Sequence, residues 1–301
     1  MLTRRTILLG AVAAPSFGAY GFGVEPMLLD RITRYRVCPP GWPANLKLTV
    51  AAVADVHACE PWMDRERIEG IVAATNALNA DVVVLLGDYV AGHDKVTGFV
   101  PDRIWAEALS GLRAPLGVFA ILGNHDWWRD TEAQARGHGP IAARIALERA
   151  GVPVLENDSV AISKDGQRIW IAGLGDQWAL HPRTPGGDPV GVDDLAATLG
   201  AVSDDAPILL LAHEPDIFPK VPERVALTLS GHTHGGQVRL PFVTPYAPSE
   251  LSRKYIYGHY LEGGRNLIVS GGLGCSWWPV RIGVPPEILL IEIGALSADV
   301  S

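Results

Sequence analysis

The sequence predicts an α/β fold in which two mixed β-sheets pack face to face and helices cover the outside. In the first half of the 301-residue chain, strand-like apolar runs alternate with segments of helical spacing. The second half is richer in short strand-like runs, and a hydrophobic content of 48% is ample for a large core. These observations alone do not separate this architecture from a doubly wound parallel sheet.

The predicted elements of the first half follow one another as strand and helix. Asp64 is the expected N-cap of the first helix, and Gly151 is expected to end the third. Strands are predicted at residues 47–54, 81–86 and 116–122, and helices at residues 64–80, 101–112 and 139–150. Further strands are predicted at residues 168–172, 207–212, 225–229, 266–269 and 287–293.

Composition limits the partners and the chemistry. The net charge is −8 and the basic residues form no run, so a dedicated nucleic-acid partner is not expected. The three cysteines form no Cys-x-x-Cys pair, which excludes a disulfide framework or a thiolate zinc site as the organising principle. A single bridge, Cys38–Cys59 or Cys38–Cys275, stays open.

The N-terminal segment has features of an export signal. Thr3-Arg4-Arg5 followed by an uncharged, mostly apolar stretch to Val24 resembles a twin-arginine export signal. Pro15 and several glycines make this stretch a poor membrane-spanning helix, and whether it is cleaved or kept as an anchor is left open. We therefore expect the twin-arginine machinery as a partner and the periplasm or cell envelope as the location. The expected division is a signal or anchor at 1–24, a linker at 25–46 and one main domain at 47–295.

Five polar clusters each follow an apolar, strand-like run. Carboxylates and imidazoles at strand ends usually mean a site at the edge of a sheet. Carboxylate, imidazole and amide oxygen are ligands that divalent metals prefer, so the sequence predicts a metal centre. The clusters are Asp55-Val56-His57, Gly87-Asp88, Gly123-Asn124-His125-Asp126, His213-Glu214 and Gly231-His232-Thr233-His234.

In order and spacing these clusters resemble the calcineurin-like metallophosphoesterase superfamily, from about Leu48 to about Ile293. The run from Gly231 to Pro241, together with the twin-arginine motif, resembles a bacterial phosphodiesterase-like branch. The resemblance implies a four-layer α-β-β-α sandwich with a metallophosphoesterase catalytic domain. It also implies a hydrolase that binds two divalent metal ions, which could be manganese, iron, zinc or a mixed pair.

The resemblance assigns the ligands to two ions that share Asp88. The first ion would be held by Asp55, His57, Asp88 and His234, and the second by Asp88, Asn124, His213 and His232. On an extended backbone, residues two apart project to the same face, so Asp55 and His57 are expected to reach one ion in this way.

The expected activity is phosphodiester hydrolysis, by in-line attack of a metal-bridging hydroxide on phosphorus. By resemblance His125 would protonate the leaving group or stabilise the transition state, and Asp126 would orient its imidazole. One alternative is a membrane-associated pyrophosphatase or diesterase acting on lipid- or sugar-linked phosphates; another is a metal-free scaffold. The chain departs from the family's Gly-Asp-x-x-Asp pattern, because Ala91 stands where the second Asp is expected.

Three further features each have more than one open interpretation. Asp176 ends a predicted strand and could line the site or belong to an ordinary turn. Cys59 could approach the metal or be a buried thiol. The tryptophan pairs Trp127-Trp128 and Trp277-Trp278 could hold an apolar or sugar part of a substrate, lie at a membrane surface, or be packing residues.

Overall fold

A computed structural model describes residues 18–242 and 246–294 of the chain. The described residues form thirteen strands in two large sheets and one short antiparallel pair. The strands are β1 (Arg31–Val37), β2 (Leu48–Val53), β3 (Cys59–Glu60), β4 (Val82–Leu86), β5 (Gly98–Phe99), β6 (Val118–Ile121), β7 (Asp158–Lys164), β8 (Gln167–Gly173), β9 (Ile208–Leu211), β10 (Val225–Ser230), β11 (Gly258–Glu262), β12 (Arg265–Val269) and β13 (Glu287–Ile293).

Both large sheets are mixed. The first has the order β1-β13-β2-β4-β6, in which only the β13–β2 pair is antiparallel. The second has the order β11-β12-β10-β9-β8-β7, with antiparallel pairs at its two edges and parallel pairs between. Strands β3 and β5 form a separate antiparallel pair. In the second sheet the parallel strands therefore lie in the centre, where both faces are covered.

Helices cover the outer faces of the sheets. The α-helices after residue 60 are Arg65–Ala77, Asp102–Leu109, Asn124–Trp128, Thr131–Arg136, Ala142–Arg149, Leu195–Gly200 and Glu250–Lys254, with short 3₁₀ segments at Pro215–Lys220 and His234–Gly236. The Asp64 side chain accepts a hydrogen bond from Arg67 N at 2.9 Å, as expected of an N-cap. Gly151 follows the cap of Ala142–Arg149 with φ 86°, as expected of a helix end.

Three apolar clusters fill the spaces between four layers. Val50, Val84 and Leu289 of the first sheet pack with residues such as Ile171 and Leu229 of the second. Opposite residues of the first sheet pack on its helices. The outer face of the second sheet packs on Phe218, Tyr255 and their neighbours. The predicted α-β-β-α sandwich of two mixed sheets is confirmed.

The structure differs from the sequence prediction mainly at the sheet edges. Strands β1, β7 and β11 are edge strands that the sequence did not predict. Their sequences mix charged and apolar residues because one long side faces solvent, so no continuous apolar run reveals them. Strand β1 lies within the segment expected as a linker, and it pairs with β13 along its whole length.

The described end of the N-terminal segment is part of the fold. A helical stretch, Tyr20–Val24 followed by Glu25–Leu28, packs on the loop before β13. Glu25 is buried and accepts hydrogen bonds from the backbone N–H groups of Gly283 and Val284. The sequence had placed residues up to 24 outside the folded domain, whereas Gly21 is buried against Ile282.

Two other expectations concern the N-terminus and the cysteines. The twin-arginine motif, Arg4-Arg5, lies outside the described residues. Within residues 18–242 and 246–294, no helix is both long enough and apolar enough to cross a membrane.

Cys38, Cys59 and Cys275 are all free thiols, so neither bridge that the sequence left open is formed.

Candidate metal centre

The five polar clusters meet at one edge of the sandwich. Asp55, Asp88 and Asn124 follow β2, β4 and β6 of the first sheet, and His213 and His232 follow β9 and β10 of the second. These strands are parallel within each sheet, so their carboxyl ends lie together. The site is therefore assembled from both sheets at the ends of their central strands.

A first group of four buried side chains comprises Asp55, His57, Asp88 and His234. One ligand atom from each lies within 4.8 Å of all the others. The Nε2 atoms of His57 and His234 are 3.1 Å apart, and His234 Nε2 is 3.5 Å from Asp55 Oδ1. The four side chains that were assigned to one ion are thus brought together.

A second group lies beside the first. His232 Nδ1 is 3.0 Å from Asn124 Oδ1, and the imidazoles of His213 and His232 have ring centres 5.2 Å apart. Glu214, which was not predicted as a site residue, also has a carboxylate oxygen within 4.8 Å of ligand atoms of both histidines. One oxygen of the Glu214 carboxylate, Oε2, accepts hydrogen bonds from Gln177 N at 3.1 Å and Gln177 Nε2 at 3.2 Å.

Asp88 lies between the two groups. Its Oδ2 atom is 3.5 Å from His57 Nε2 and 3.2 Å from His213 Nε2. Its Oδ1 atom accepts a hydrogen bond from the backbone N–H of His125 at 2.9 Å. A single carboxylate oxygen therefore stands within reach of imidazoles from both groups.

Backbone carbonyls orient two of the imidazoles. His57 Nδ1 lies 2.9 Å from Val90 O, and His213 Nδ1 lies 2.6 Å from Leu86 O. Because a carbonyl oxygen only accepts, Nδ1 carries the hydrogen in both rings and Nε2 is directed into the site. Outer contacts of this kind are typical of histidines that bind metals.

Burial and charge set the protonation of the site in opposite directions. Burial raises the pKa of Asp55 to about 7 and lowers the pKa values of His57, His232 and His234. Burial also opposes the charged forms of Asp88 and His213, but the attraction between their opposite charges outweighs the effect of burial. This attraction lowers the pKa of Asp88 well below its usual value and raises the pKa of His213 well above its usual value. Before any metal binds, this pair is an ionised couple.

The residues present fit a pair of divalent cations. Asp55 Oδ2 and His232 Nε2 are buried and have no hydrogen-bond partner within the described part of the chain. Buried polar atoms without partners are costly, and here one belongs to each of the two groups. Oxygen and imidazole donors together suit manganese, iron or zinc.

The backbone that carries these ligands is not extended. The side chains of Asp55 and His57 do meet, but the expectation that they project from an extended strand is wrong. The ligand residues in the left-handed region are Asp55 (φ 53°), His57 (φ 48°), Asp88 (φ 58°), His232 (φ 68°) and His234 (φ 51°). For residues with a Cβ this conformation costs about 1 kcal/mol or more each, and such strain clusters at functional sites.

Two glycines make room for the Asp55 carboxylate. A Cβ at Gly231 would lie 2.6 Å from Asp55 Oδ2, and a Cβ at Gly272 would lie 2.7 Å from the same atom. Contacts this short do not occur in proteins, so any larger residue would displace the carboxylate. The backbone N–H of His232 donates to Asp55 Oδ1 at 2.9 Å and ties the two sheets together at this point.

His125 lies at the open side of the centre, where the resemblance expected it. Its ring packs edge-on against those of His57 and Trp128, and its Nε2 atom is 3.1 Å from Ser276 Oγ. Burial lowers the pKa of His125 to about 3, so its imidazole is neutral at pH 7. A neutral imidazole retains one N–H, which can donate a hydrogen bond to a group in the site.

Asp126 does not orient His125, and this expectation is wrong. Its carboxylate accepts four backbone hydrogen bonds, from Gly123 N, Asp88 N, Tyr89 N and Val90 N, at 2.8–3.2 Å. These contacts hold the Asp88 loop against the turn that carries Asn124. Asp126 thus supports the loop in which Ala91 replaces the family's second Asp.

Two functional neighbours escaped the sequence analysis. Arg281 is fully buried, and its guanidinium donates to the carbonyls of Gly271, Gly274 and Val284. Its Nη2 atom is 3.3 Å from His234 Nδ1. Ser276, the partner of His125, is the second. Both follow Gly271-Gly272, whose glycine pair was the one available signal of a close approach to the site.

Burial and the lining of the cleft distinguish the interpretations that the sequence left open for Asp176, Cys59 and the tryptophan pairs. Asp176 is buried beside Glu214 and is not among the described residues that line the cleft. Cys59 is a buried thiol whose pKa burial raises to about 12, and it belongs to neither ligand group. Trp127 is a core residue, 1% exposed. Trp128, Trp277 and Trp278 line a cleft of about 510 Å³ that opens on the metal centre.

The comparisons with known proteins agree with this site. Residues 48–236 match the calcineurin-like phosphoesterase family. The chain is 28% identical to an uncharacterized metallophosphoesterase, YkuE, of Bacillus subtilis, over 97% of this chain and 98% of that protein. It is 29% identical to the phosphodiesterase YaeI of Escherichia coli, over 97% of this chain and 100% of that protein.

Among solved structures, a dimetal phosphatase from Danio rerio is 13% identical, with a TM-score of 0.38 over 75% of this chain and 88% of that one. The family match covers more than half of the chain and includes both groups of ligand residues. The chain belongs to the calcineurin-like phosphoesterase family.

Proposed function

We propose that this protein is a phosphodiesterase that depends on two divalent metal ions. The observation that carries the proposal is the position of Asp88, whose Oδ2 atom lies 3.5 Å from His57 Nε2 and 3.2 Å from His213 Nε2. A carboxylate shared between two groups of imidazole and oxygen donors is what a two-metal site requires.

The side chains divide into two ligand sets that share Asp88. Asp55, His57, Asp88 and His234 would hold one ion, and Asp88, Asn124, His213 and His232 would hold the other. When bound, the two ions would supply positive charge for the phosphoryl oxygens and lower the pKa of a coordinated water.

The protein's own contribution on the open side is His125. Its neutral ring retains one N–H, and Ser276 Oγ, 3.1 Å from Nε2, fixes the orientation of the ring. A hydrogen-bond donor at this position would stabilise the charge that develops on the leaving-group oxygen, and that oxygen would take its proton from water. Asp126 acts indirectly, because it fixes the backbone that presents Asp88 and Asn124.

The cleft favours a diester over a monoester. Among its described lining residues there is no Lys or Arg. Proteins usually recognise the dianion of a phosphate monoester with Arg side chains, whereas a diester carries a single negative charge. The relative YaeI is named as a phosphodiesterase, which supports the same activity here.

The test is hydrolysis of bis-p-nitrophenyl phosphate and p-nitrophenyl phosphate by protein loaded with manganese, iron or zinc. We expect diester turnover with at least one metal, a lower kcat/KM for the monoester, and loss of both activities in Asp88→Asn. Asp188→Asn, an exposed loop residue, is the matched control and should behave as wild type. Turnover that is independent of metal, or equal in Asp88→Asn, would contradict the proposal.

Export by the twin-arginine route is part of the proposal. Its support is the sequence Thr3-Arg4-Arg5 and the uncharged stretch that follows. Fractionation of cells that produce the full chain should find it in the periplasm or cell envelope. Replacing both arginines by lysine should retain it in the cytoplasm, and unchanged distribution would contradict this route.

A further inference from the structure

The cleft over the metal centre has an aromatic wall. Five aromatic side chains line it together with Val238, Pro248 and Val280; they are Trp128, Trp178, Tyr246, Trp277 and Trp278. Two of them touch the site directly. The ring of Trp128 lies 5.1 Å from that of His125, and the ring of Trp178 lies 5.0 Å from that of His232, centre to centre. A substituent on a phosphorus bound at the metal centre would therefore lie along this wall.

Two polar side chains of the cleft lining, Gln237 and Thr233, are already paired. Gln237 donates through Nε2 to the carbonyls of Trp278 and Val280, both at 3.0 Å, and accepts from Ser276 N at 2.6 Å. Thr233 Oγ1 donates to Ile256 O at 2.7 Å. A nucleobase or a sugar needs free donors and acceptors, because its own polar groups otherwise lose water without compensation. With the Gln237 and Thr233 side chains occupied, the wall presents mainly aromatic faces and aliphatic carbons, which fit a hydrocarbon.

The rim of the cleft exposes aromatic rings to solvent. Trp277 is 61% exposed, Trp278 is 55% exposed and Tyr246 is 57% exposed. Trp277 has φ 66°, in the left-handed region, so the turn holds a strained conformation that presents two indoles side by side. Grouped exposed aromatics of this kind mark a site that binds something apolar.

A single cation stands beside these indoles. Lys95 Nζ donates to Trp277 O at 3.1 Å and lies 4.3 Å from the centre of the Trp278 ring. An ammonium next to an apolar rim complements a ligand with an anionic head and an apolar chain. Lys95 stands beside the cleft, and the described lining itself contains no Lys or Arg.

From these contacts we infer that the substrate is a phosphoester whose second substituent is a long hydrocarbon chain, held along the aromatic wall. The inference rests on the proposed function and names its substrate class. In the reaction, one water is added and the bond between phosphorus and the leaving oxygen breaks. The water oxygen forms the new bond to phosphorus, and the leaving oxygen takes one proton.

A graded series of p-nitrophenyl esters tests the inference. The substrates are the methyl, butyl and octyl esters of p-nitrophenyl phosphate, used below the micelle concentration, and the p-nitrophenyl ester of thymidine 5′-phosphate. Each fully buried methylene is worth about fourfold in affinity. With only part of the chain buried, we expect kcat/KM for the octyl ester to exceed that of the methyl ester by at least about tenfold, mainly through KM.

Substitutions in the aromatic wall test whether the preference for long chains depends on Trp277 and Trp278. Trp277→Ser and Trp278→Ser should each lower the ratio of octyl to methyl kcat/KM by about threefold or more. Leu261→Ser is the matched control, since Leu261 is 65% exposed on β11 and is not among the cleft residues. An equilibrium readout needs no turnover: octylphosphonate should quench tryptophan fluorescence at lower concentration than methylphosphonate, and less so in Trp278→Ser.

The outcomes distinguish two failures. If the methyl ester is hydrolysed but chain length has no effect, or the thymidine ester is the best substrate, the hydrocarbon inference is overturned and the proposed function stands. If no ester is hydrolysed with any divalent metal, the proposed function itself fails and the inference with it.

Discussion

The Nε2 atoms of His57 and His234 lie 3.1 Å apart in the protein interior. His57 carries its hydrogen on Nδ1, because that atom faces Val90 O. His234 Nδ1 faces Arg281 Nη2, a group that can only donate. In the metal-free protein, His234 Nε2–H therefore donates to His57 Nε2. A cation bound by both Nε2 atoms must displace this hydrogen.

Metal binding should release protons from two other ligands, His213 and Asp55. The pKa of His213 is raised above its usual value by Asp88, so this imidazole holds a proton at pH 7 before metal binds. Burial raises the pKa of Asp55 to about 7, so this carboxyl is also partly protonated there. Calorimetric titration with Mn²⁺ at pH 7, in buffers of different ionisation enthalpy, should detect roughly one to two protons released per chain. Metal affinity should fall as the pH is lowered. A binding enthalpy that does not change with the ionisation enthalpy of the buffer would contradict this protonation scheme.

Removing the imidazole at the open side should affect turnover and spare the metals. In His125→Ala, kcat for the diester should fall by about 10²–10³, the usual effect of losing one hydrogen-bond donor to the transition state. Metal content should match wild type, because His125 belongs to neither ligand group. His138→Ala, at an exposed histidine, is the control. A His125→Ala protein that loses metal would make His125 a ligand instead.

Asp126 should act through the stability of the loop. Asp126→Asn replaces an acceptor of four backbone N–H groups, so unfolding in urea should show a loss of about 1–3 kcal/mol. The pH profile of the remaining turnover should keep its shape, since the carboxylate does not contact the His125 ring. Asp188→Asn should change stability by less than about 0.5 kcal/mol. A shifted pH profile in Asp126→Asn would instead indicate that Asp126 orients the His125 imidazole.

A pH-dependent link between the sheets lies far from the metal centre. Asp81 pairs with Lys164 of β7 and accepts hydrogen bonds from Thr49 N and Oγ1 of β2 at 2.7 and 2.8 Å. Burial opposes ionisation, but these partners together lower the pKa of Asp81. Its stabilising contribution should thus be complete above the unfolded pKa of about 3.9 and be lost as the pH falls through the lower folded value.

Denaturation of wild type and Asp81→Asn at several pH values measures this contribution. The difference in free energy of unfolding should be about 1–2 kcal/mol at pH 7 and should shrink below about pH 4. A difference that grows on acidification would contradict the assigned direction.

The sequence predicted most of the fold because the central strands are apolar on both faces. Strands β2, β4, β9 and β13 appear as continuous apolar runs for this reason. The edge strands β1, β7 and β11 escaped prediction, because an exposed face mixes polar residues into the pattern. The helical packing of residues around Gly21 was missed since it depends on a distant contact, with Ile282.

Site residues were predictable where they directly end a strand. The structure brings Asp55, Asp88 and His213 together for that reason. The left-handed backbone at these turns was not predictable, because only tertiary packing makes such strain tolerable. Arg281 and Ser276 lie in a loop without a strand signal, and Asp126 acquires its role only when the Asp88 loop folds against it.

The most direct test of the account is the metal content of wild type, Asp55→Asn and Asp88→Asn after loading with Mn²⁺ and desalting, measured by mass spectrometry. Asp88 is shared by both ligand sets, whereas Asp55 belongs to one. The account predicts two ions per chain in wild type, one in Asp55→Asn and none in Asp88→Asn. Two ions retained in Asp88→Asn, or fewer than two in wild type, would contradict a dinuclear centre built around Asp88.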